Sequence, residues 1–285
     1  MRLIIVSGLS GSGKSVALHA LEDLGFYCID NIPAGLLRAL IAELSTRRDA
    51  AVQNVAVGLD ARNRPEDIEK VPGIVAELRG EGTVCDVVFL QANDDVLLTR
   101  FSETRRRHPL RTADRSLPEA IAQERLLLGP VINAAELIID TTATSVYELR
   151  SRIRERVGER EPYSLSILIE SFGYKHGLPA DADFVFDVRC LPNPYWEPQL
   201  RALCGTDEPV RAFLEAEPAV EAMIADICAY LERWIPHYQD FQRSYLTVAI
   251  GCTGGQHRSV YIAEAVAGRL SVTFGEVQTR HTELT

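Results

Sequence analysis

The sequence GLSGSGKS, residues 8–15, is the most informative stretch for predicting the fold of this chain. It follows the apolar run Leu3–Val6, and apolar residues at helical spacing come after it over Val16–Leu24. A strand, a glycine-rich turn and a helix in this order are the context that the phosphate-loop pattern G-x-x-x-x-G-K-[ST] requires. Backbone N–H groups of such a loop bind phosphate oxygens, Lys14 is expected to reach the β- and γ-phosphates, and Ser15 is expected to bind Mg²⁺. The predicted ATP-binding residues are Gly8, Leu9, Ser10, Gly11, Ser12, Gly13, Lys14 and Ser15.

Further apolar runs of strand length alternate with helical patterns along the first half of the chain. Continuous apolar strands between helices indicate a parallel sheet that is covered by helices on both faces. The predicted class is therefore α/β, with a sheet of the P-loop NTPase or kinase type. The predicted strands are Phe26–Ile29, Val55–Leu59, Val84–Leu90 and Leu137–Ile139, and the predicted helices are Leu36–Leu44 and Asp94–Arg107.

A charged stretch, RSRIRERVGEREP at residues 150–162, divides the chain and is interrupted by Gly158 and Pro162. Because 285 residues suffice for about two domains, we expect a phosphate-loop domain at residues 1–157 and a second, smaller α/β domain at residues 163–285. The second domain is predicted to contain strands at Leu165–Glu170 and Leu246–Ile250 and helices at Ala219–Trp234 and Val260–Leu270.

The composition argues against several classes of protein. The 30 Lys and Arg residues against 40 Asp and Glu residues give a formal net charge of −10, which opposes nonspecific attraction to nucleic acid. The 6 cysteines form no C-x-x-C pair, so neither a zinc site nor a disulfide framework is expected. No apolar run approaches the roughly 20 residues of a membrane span, and the amino terminus lacks the features of a secretory signal. We therefore expect a cytoplasmic protein.

Two aspartates follow predicted strands and are candidates for metal binding or catalysis beside the phosphate loop. Asp30 follows the run that ends at Ile29, and Asp60 follows the run that ends at Leu59. A carboxylate at a strand end near the loop often serves the metal, and we favour Asp60 for this role together with Ser15. Asp30 is a second-site or catalytic candidate, and the alternative for either aspartate is a helix cap or turn residue. Asp60, Ala61, Arg62 and Asn63 form one loop with groups suited to metal, phosphate and base contacts.

A basic stretch follows the predicted strand Val84–Leu90. A mobile lid often occupies this place in phosphate-loop kinases, and arginines on it close over the transferred phosphate. A solvated helix face is the other interpretation, and the sequence leaves both open. The cationic residues of the stretch are Arg100, Arg105, Arg106, Arg107, His108 and Arg111.

The second glycine-containing loop follows the strand Leu246–Ile250 and precedes a helix. Cys252 and Arg258 are six positions apart, which gives the pattern C-x-x-x-x-x-R-S of thiol-phosphatase loops. The pattern favours an anion or sugar-phosphate site, while a true phosphatase and a purely structural loop are the alternatives. The candidate residues in the loop are Cys252, Thr253, Gly254, Gly255, His257, Arg258 and Ser259, and Lys175, His176, Arg189 and Asn193 supply polar groups that would converge with it.

Taken together, these motifs resemble the RapZ/YvcJ family of bacterial nucleotide-binding proteins over almost the whole chain. The resemblance rests on GLSGSGKSVALHALEDLGFYCIDNIP, the Asp60–Asn63 loop, TRRRHPL, ESFGYKHGLP, FDVRCLPNP and GCTGGQHRSVYIAE, which stand in the family's order. It implies binding and hydrolysis of ATP and GTP, with ATP contacts at Gly8–Ser15 and GTP contacts at Asp60–Asn63. It also implies a homo-oligomer.

The resemblance further implies a role for the second domain. In enteric members this domain binds small regulatory RNAs and glucosamine 6-phosphate, and the protein presents the RNA to an endoribonuclease. Members of that type end in a Lys- and Arg-rich tail that supports RNA binding, whereas this sequence ends Gln278–Thr285 without it. Because phosphate contacts dominate RNA affinity, this departure counts against the RNA-adapter role.

Three functions follow for testing. The first is a regulatory protein that binds ATP or GTP with Mg²⁺ at Lys14, hydrolyses it slowly, and so controls the second domain. The second is an RNA-binding adapter that senses a sugar phosphate. The third is a small-molecule kinase, which Asp30 and the arginine stretch suggest.

Overall fold

The computed structural model describes residues 1–46, 53–104, 106–112, 114–158, 165–240 and 243–284. The chain separates into two units, Met1–Tyr163 and Ser164–Thr285. Each unit has one parallel sheet with its own core, which confirms the predicted α/β class.

The sheet of the amino-terminal unit has five strands in the order β2-β3-β1-β4-β5, and all of its pairs are parallel. The central strand β1 is buried along its whole length, because helices cover both faces of the sheet. It contains the predicted run Leu3–Val6. The strands are β1 (Arg2–Gly8), β2 (Tyr27–Ile29), β3 (Asn54–Gly58), β4 (Val84–Gln91) and β5 (Leu137–Asp140).

The helices of this unit connect the strands in sequence order, as parallel pairing requires. A 3₁₀ turn at Ala34–Leu36 precedes α2, and a π-helical turn at Arg154–Gly158 follows α8. The helices are α1 (Lys14–Asp23), α2 (Leu37–Thr46), α3 (Pro65–Ile68), α4 (Val71–Gly80), α5 (Asp94–Thr104), α6 (Leu117–Leu127), α7 (Gly129–Asn133) and α8 (Val146–Ile153).

The sheet of the carboxy-terminal unit has four strands in the order β7-β8-β6-β9, again all parallel. Short 3₁₀ turns at Tyr174–His176 and Pro194–Trp196 lie in its loops. The strands are β6 (Ser166–Gly173), β7 (Phe184–Asp187), β8 (Tyr245–Cys252) and β9 (Val277–His281), and the helices are α9 (Glu208–Glu215), α10 (Pro218–Asp240) and α11 (Arg258–Phe274).

The structure corrects the predicted helix Asp94–Arg107 at its carboxyl end. Helix α5 ends at Thr104, Arg105 lies outside the described residues, and Arg106 and Arg107 are not helical. The chain turns inward here, so that His108 is 1% exposed, and the following proline disfavours helical backbone at His108.

One short strand of the second sheet, β9, carries no strand signal in its sequence. Strand β9 reads Val-Gln-Thr-Arg-His, which is neither an apolar run nor a regular alternation. It pairs with β6 at the sheet edge, where Arg280 forms ion pairs with buried Glu170 and with Asp181.

Among the described residues, every helix is too short or too polar to cross a lipid bilayer.

Gly205 lies where the loop before α9 meets the start of α11, and it provides a test of this packing. A Cβ atom there would lie 2.2 Å from the carbonyl oxygen of His257 and 2.6 Å from the amide nitrogen of Tyr261. We expect Gly205→Ala to lower the free energy of unfolding of the carboxy-terminal unit by about 1–3 kcal/mol. Urea unfolding followed by tryptophan fluorescence measures this, since both tryptophans, Trp196 and Trp234, lie in that unit.

The matched control is Gly268→Ala on the exposed face of α11, where a Cβ atom has open space. Alanine is the better helix former, so this variant should be as stable as the wild type or more stable by up to about 1 kcal/mol. Equal unfolding midpoints for the two variants would contradict the close approach at Gly205.

Candidate functional site

The phosphate loop joins β1 to α1, and two side chains from later in the chain hold its backbone. The carbonyl oxygen of Gly11 accepts a hydrogen bond from Arg100 Nη1 at 3.1 Å, and that of Ser12 accepts one from the Thr141 hydroxyl at 3.0 Å. Because the N–H of a peptide plane points opposite to its carbonyl, the N–H of Gly13 is directed away from Thr141. The loop therefore meets a ligand with donors rather than acceptors.

Gly13 ends the loop in a conformation that favours glycine. Its φ angle is 106°, and a Cβ atom would lie 2.6 Å from Leu149 Cδ2. Helix α1 begins at the next residue, Lys14, so the partial positive charge of its amino terminus lies at the loop.

Lys14 folds over the loop that it follows. Its Nζ donates to the carbonyl oxygens of Gly8 at 2.8 Å and Leu9 at 3.4 Å. Burial lowers the pKa of the Lys14 ammonium below the ordinary lysine value, although the carboxylates of Glu124 and Asp60 partly oppose this. The ammonium thus occupies a position where phosphate oxygens would be better acceptors than carbonyls.

Asp60 and Arg62 form one ion pair after β3. Arg62 Nε lies 2.9 Å from Asp60 Oδ2, and the backbone N–H of Arg62 donates to Oδ1 at 2.9 Å. Burial alone would raise the pKa of Asp60, but the hydrogen bonds from Arg62 and the charge of Lys14 lower it below the usual range. Asp60 is therefore a carboxylate at neutral pH, while the side chain of Arg62 remains 51% exposed.

The other two residues of this loop have structural contacts. Asn63 Oδ1 accepts from the N–H of Ala34 at 2.6 Å, and Asn63 Nδ2 donates to the carbonyl oxygens of Ile32 and Asp60. Ala61 is buried. The predicted GTP contacts at Asp60–Asn63 thus divide into Asp60 and Arg62, which line the cavity described below, and Ala61 and Asn63, which do not.

A cavity of about 780 Å³ lies in front of the phosphate loop. Loop residues and side chains from the carboxyl ends of β2, β3 and β5 line it, together with residues of α5, of the segment after α5 and of α8. Five cationic residues and three acidic ones contribute to the lining, which gives a local positive surplus in a chain of net charge −10. The cations are Lys14, Arg62, Arg100, Arg106 and Arg107, and the acids are Asp30, Asp60 and Glu103.

The arginine stretch therefore divides. Arg106 and Arg107 are exposed and line the cavity, and Arg100, which also lines it, donates hydrogen bonds to the carbonyl oxygens of Gly11 and Thr141. His108 is buried and Arg111 is not part of the lining.

The oxygen donors at this cavity suit Mg²⁺. The Ser15 hydroxyl and the carboxylates of Asp60 and Asp30 line it, and Asp30 has no hydrogen-bond or ion-pair partner within the part of the chain that the structure describes. Mg²⁺ prefers such hard oxygens and usually retains water and phosphate ligands as well. Within the described ranges, no group of three or more His, Cys, Asp or Glu residues could hold a metal ion.

Two buried side chains that contact the loop, Glu124 and Thr141, were not predicted from the sequence. Glu124 is 0% exposed and lies with Ala120, Ile121 and Leu128 on the buried face of α6 and the residue after it. A lone carboxylate at a position of the apolar stripe was the available signal, because a buried charge requires partners.

The carboxy-terminal loop surrounds Cys252, the last residue of β8. Its Sγ accepts from the N–H of Gly255 at 3.2 Å and lies 3.2 Å from the Ser259 hydroxyl. Burial would raise the pKa of the Cys252 thiol, but these hydrogen bonds and the charge of Arg258 lower it. The thiol is nevertheless 3% exposed.

Arg258 is the central cation of this loop. Its Nη1 donates to the carbonyl oxygens of Arg189 and Leu191, each at 2.9 Å, and its Nη2 lies 3.5 Å from Thr253 Oγ1. Its Nε is buried and has no partner among the described residues. One edge of the guanidinium is therefore held by the protein, while the Nε edge has hydrogen-bonding capacity left.

The structure brings only some of the predicted residues to this loop. The N–H of Lys175 donates to the carbonyl oxygen of Thr253, and the guanidinium of Arg189 stacks 3.9 Å from the ring centre of Tyr174. His176 pairs with Glu283, whose side chain lies against Gly255 of the loop. The His257 ring contacts the carbonyl oxygen of Leu200, and Asn193 caps the turn at Tyr195.

Comparison with known proteins gives full-length relatives. A protein of Alkalilimnicola ehrlichii called "Nucleotide-binding protein" is 55% identical over 100% of this chain and 98% of its own. Another of that name, from Pseudomonas fluorescens, is 53% identical over 100% of both chains. Among solved structures, shikimate kinase from Bacteroides thetaiotaomicron has 17% identity and a TM-score of 0.36, over 54% of this chain and 94% of its own, which is too weak to support an argument.

Family models cover both units. The model of the RapZ-like N-terminal domain matches residues 1–161, and that of the RapZ C-terminal domain matches residues 165–285. Together with relatives that are more than half identical along their whole length, these matches show that the chain belongs to the RapZ family.

Proposed function

We propose that this protein binds ATP or GTP at the phosphate loop, hydrolyses it slowly, and uses the bound nucleotide to regulate a ligand of its carboxy-terminal unit. The observation that carries the proposal is the cation-lined cavity at a glycine loop whose lysine is already folded over it. The names of the full-length relatives support nucleotide binding.

The chemistry would be attack of water in line on the γ-phosphate. Lys14, the loop N–H groups and the helix amino terminus would hold the charge that develops on the phosphate oxygens. Arg106 and Arg107 are exposed cations of the same cavity lining, and they would contact the same oxygens. Mg²⁺, held by Ser15 and by Asp60 or Asp30, would supply further charge neutralisation when bound.

Slow turnover follows from the acids near the loop. Asp60 is engaged by Arg62, and its pKa is lowered, so it is a weak base for the activation of water. A slow site suits a regulatory switch better than a metabolic enzyme.

The ligand of the carboxy-terminal unit would be a phosphate monoester. The free Nε edge of Arg258, beside the Thr253 hydroxyl, matches the planar geometry with which arginine binds phosphate. Glucosamine 6-phosphate is the candidate that the family resemblance provides. Small RNA, an endoribonuclease and a second copy of the chain remain partners to be tested.

A small-molecule kinase is the second candidate, and Asp30 favours it. This exposed carboxylate lines the cavity without a partner in the described residues, so it is available to hold the hydroxyl of an acceptor. Transfer of phosphate to an added sugar, rather than to water, would identify this activity.

Lys14→Ala tests the nucleotide site. Loss of the ammonium should weaken ATP and GTP binding by about 1.5–3 kcal/mol, or roughly 10- to 150-fold. It should also abolish the release of inorganic phosphate from both nucleotides. Titration calorimetry and a phosphate-release assay, with and without sugar acceptors, measure both effects. Lys70→Ala is the control, since Lys70 lies on the exposed surface beside Asp67, and retention of tight binding by Lys14→Ala would refute the assignment.

The pH dependence of binding tests the lowered pKa of Lys14. A bound phosphate raises the pKa of Lys14 again, so binding takes up a proton once the pH exceeds the value in the free protein. Nucleotide affinity should therefore fall, by at most about tenfold per pH unit, as the pH rises above the lowered pKa that Lys14 has in the free protein. Lys14→Arg keeps its charge in this range and should show no such fall; the same slope in both proteins would exclude Lys14 as its source.

Arg258→Lys tests the carboxy-terminal site. An ammonium cannot hold two carbonyls and also present a planar edge, so binding of inorganic phosphate and glucosamine 6-phosphate should weaken about tenfold or more. Arg211→Lys, at an exposed ion pair with Glu215, is the matched control. Calorimetric titrations that give the same affinity for both variants would argue against an anion at Arg258.

A further inference from the structure

The carboxylate of Glu124 lies directly behind the phosphate loop and accepts three hydrogen bonds. The N–H of Ser10 donates to Oε2 at 2.8 Å, and the Ser10 hydroxyl donates to Oε1 at 2.7 Å. The third donor is His108 Nε2, at 3.1 Å from Oε2. The side chains of Glu124 and His108 are both 0% exposed.

These contacts fix the first half of the loop. Both donors of Ser10 are used by Glu124, so this residue holds the loop backbone in place. The buried Glu124 carboxylate is stable in its charged form, because both of its oxygens accept hydrogen bonds. Burial would raise the pKa of Glu124, but the hydrogen bonds from His108 and Ser10 and the charge of Lys14 lower it.

The same carboxylate also holds the chain after α5. His108 Nδ1 accepts from the N–H of Leu110 at 3.1 Å, which leaves the ring proton on Nε2, where it is donated to Glu124. The His108 ring also packs against Phe101, with ring centres 5.2 Å apart. Residues 106–111, the arginine segment, are thus fastened at His108 from inside.

The contact between His108 and Glu124 affects the positions of the neighbouring arginines. Arg106, Arg107 and Pro109 line the nucleotide cavity on either side of the buried histidine. A displacement of His108 would therefore move both arginines relative to Lys14. Glu124 connects the phosphate loop with the arginine segment, although it is not itself part of the cavity lining.

We propose that Glu124 and His108 are positioning residues that hold the arginine segment in register with the phosphate loop, so that Arg106 and Arg107 and the loop act on one polyanion. The proposal rests on the nucleotide site proposed above. By this arrangement, a phosphate that orders the loop also orders the arginines, and the arginines in turn stabilise the loop.

A double-mutant cycle tests the connection. Binding of a nonhydrolysable ATP analogue with Mg²⁺ is measured by calorimetry for the full chain, for His108→Leu, for Arg106→Ala/Arg107→Ala and for the combination. His108→Leu and the arginine pair should each weaken binding about tenfold. If His108 acts through the arginines, the combination should be weaker than the arginine variant by no more than about twofold. Losses that multiply to about 100-fold would overturn the proposal.

Two controls separate positioning from general damage. His108→Gln restores a donor toward Glu124 and should bind the analogue within about threefold of the wild type, whereas equal loss in His108→Gln and His108→Leu would contradict the role of the hydrogen bond. Arg111→Ala lies on the same segment but outside the cavity lining, and it should leave binding unchanged. Thermal unfolding of every variant identifies loss of fold.

If His108→Leu does not fold, His108→Asn, whose amide is too short to reach Glu124, replaces it in the cycle with the same expected outcomes. Failure of the wild type to bind the analogue would refute the proposed function. Tight wild-type binding with fully independent losses would refute only the positioning role.

Discussion

All five strands of the amino-terminal sheet run in one direction, and the site depends on this constraint. Parallel alignment places every strand end at the same edge of the sheet, where loops rather than tight hairpins continue the chain. Asp30, Asp60, the phosphate loop and Thr141 follow four different strands and meet there. Parallel pairing of the strands is therefore sufficient to bring residues that are far apart in sequence to one cavity.

The sequence was informative where a structural requirement is local. The glycine loop between an apolar run and a helical pattern predicted β1, the turn and α1, because turn geometry and helix start are determined within a few residues. The two aspartates were identifiable as strand-end residues for the same reason. Glu124 was different, since its partner Ser10 lies 114 positions away and no local pattern reports that contact.

The extent of α5 shows a second limit. Charged residues such as Arg106 and Arg107 are compatible with a helix, so composition alone favoured its continuation. Burial of His108 against Glu124 and the proline that follows outweigh that preference. Strand β9 likewise owes its place to the ion pairs of Arg280 with Glu170 and Asp181, which its own residues do not reveal. In each instance tertiary contacts override local propensity.

The Lys14 ammonium, bound to the carbonyl oxygens of Gly8 and Leu9, has a consequence for selectivity. A ligand must replace these intramolecular hydrogen bonds with its own. Breaking them reduces the net free energy of binding. A small monoanion offers too few oxygens to make this exchange favourable, whereas a polyphosphate at the proposed site would engage Lys14, the loop and the arginines together. The loop would therefore select its ligands by the length of the phosphate chain.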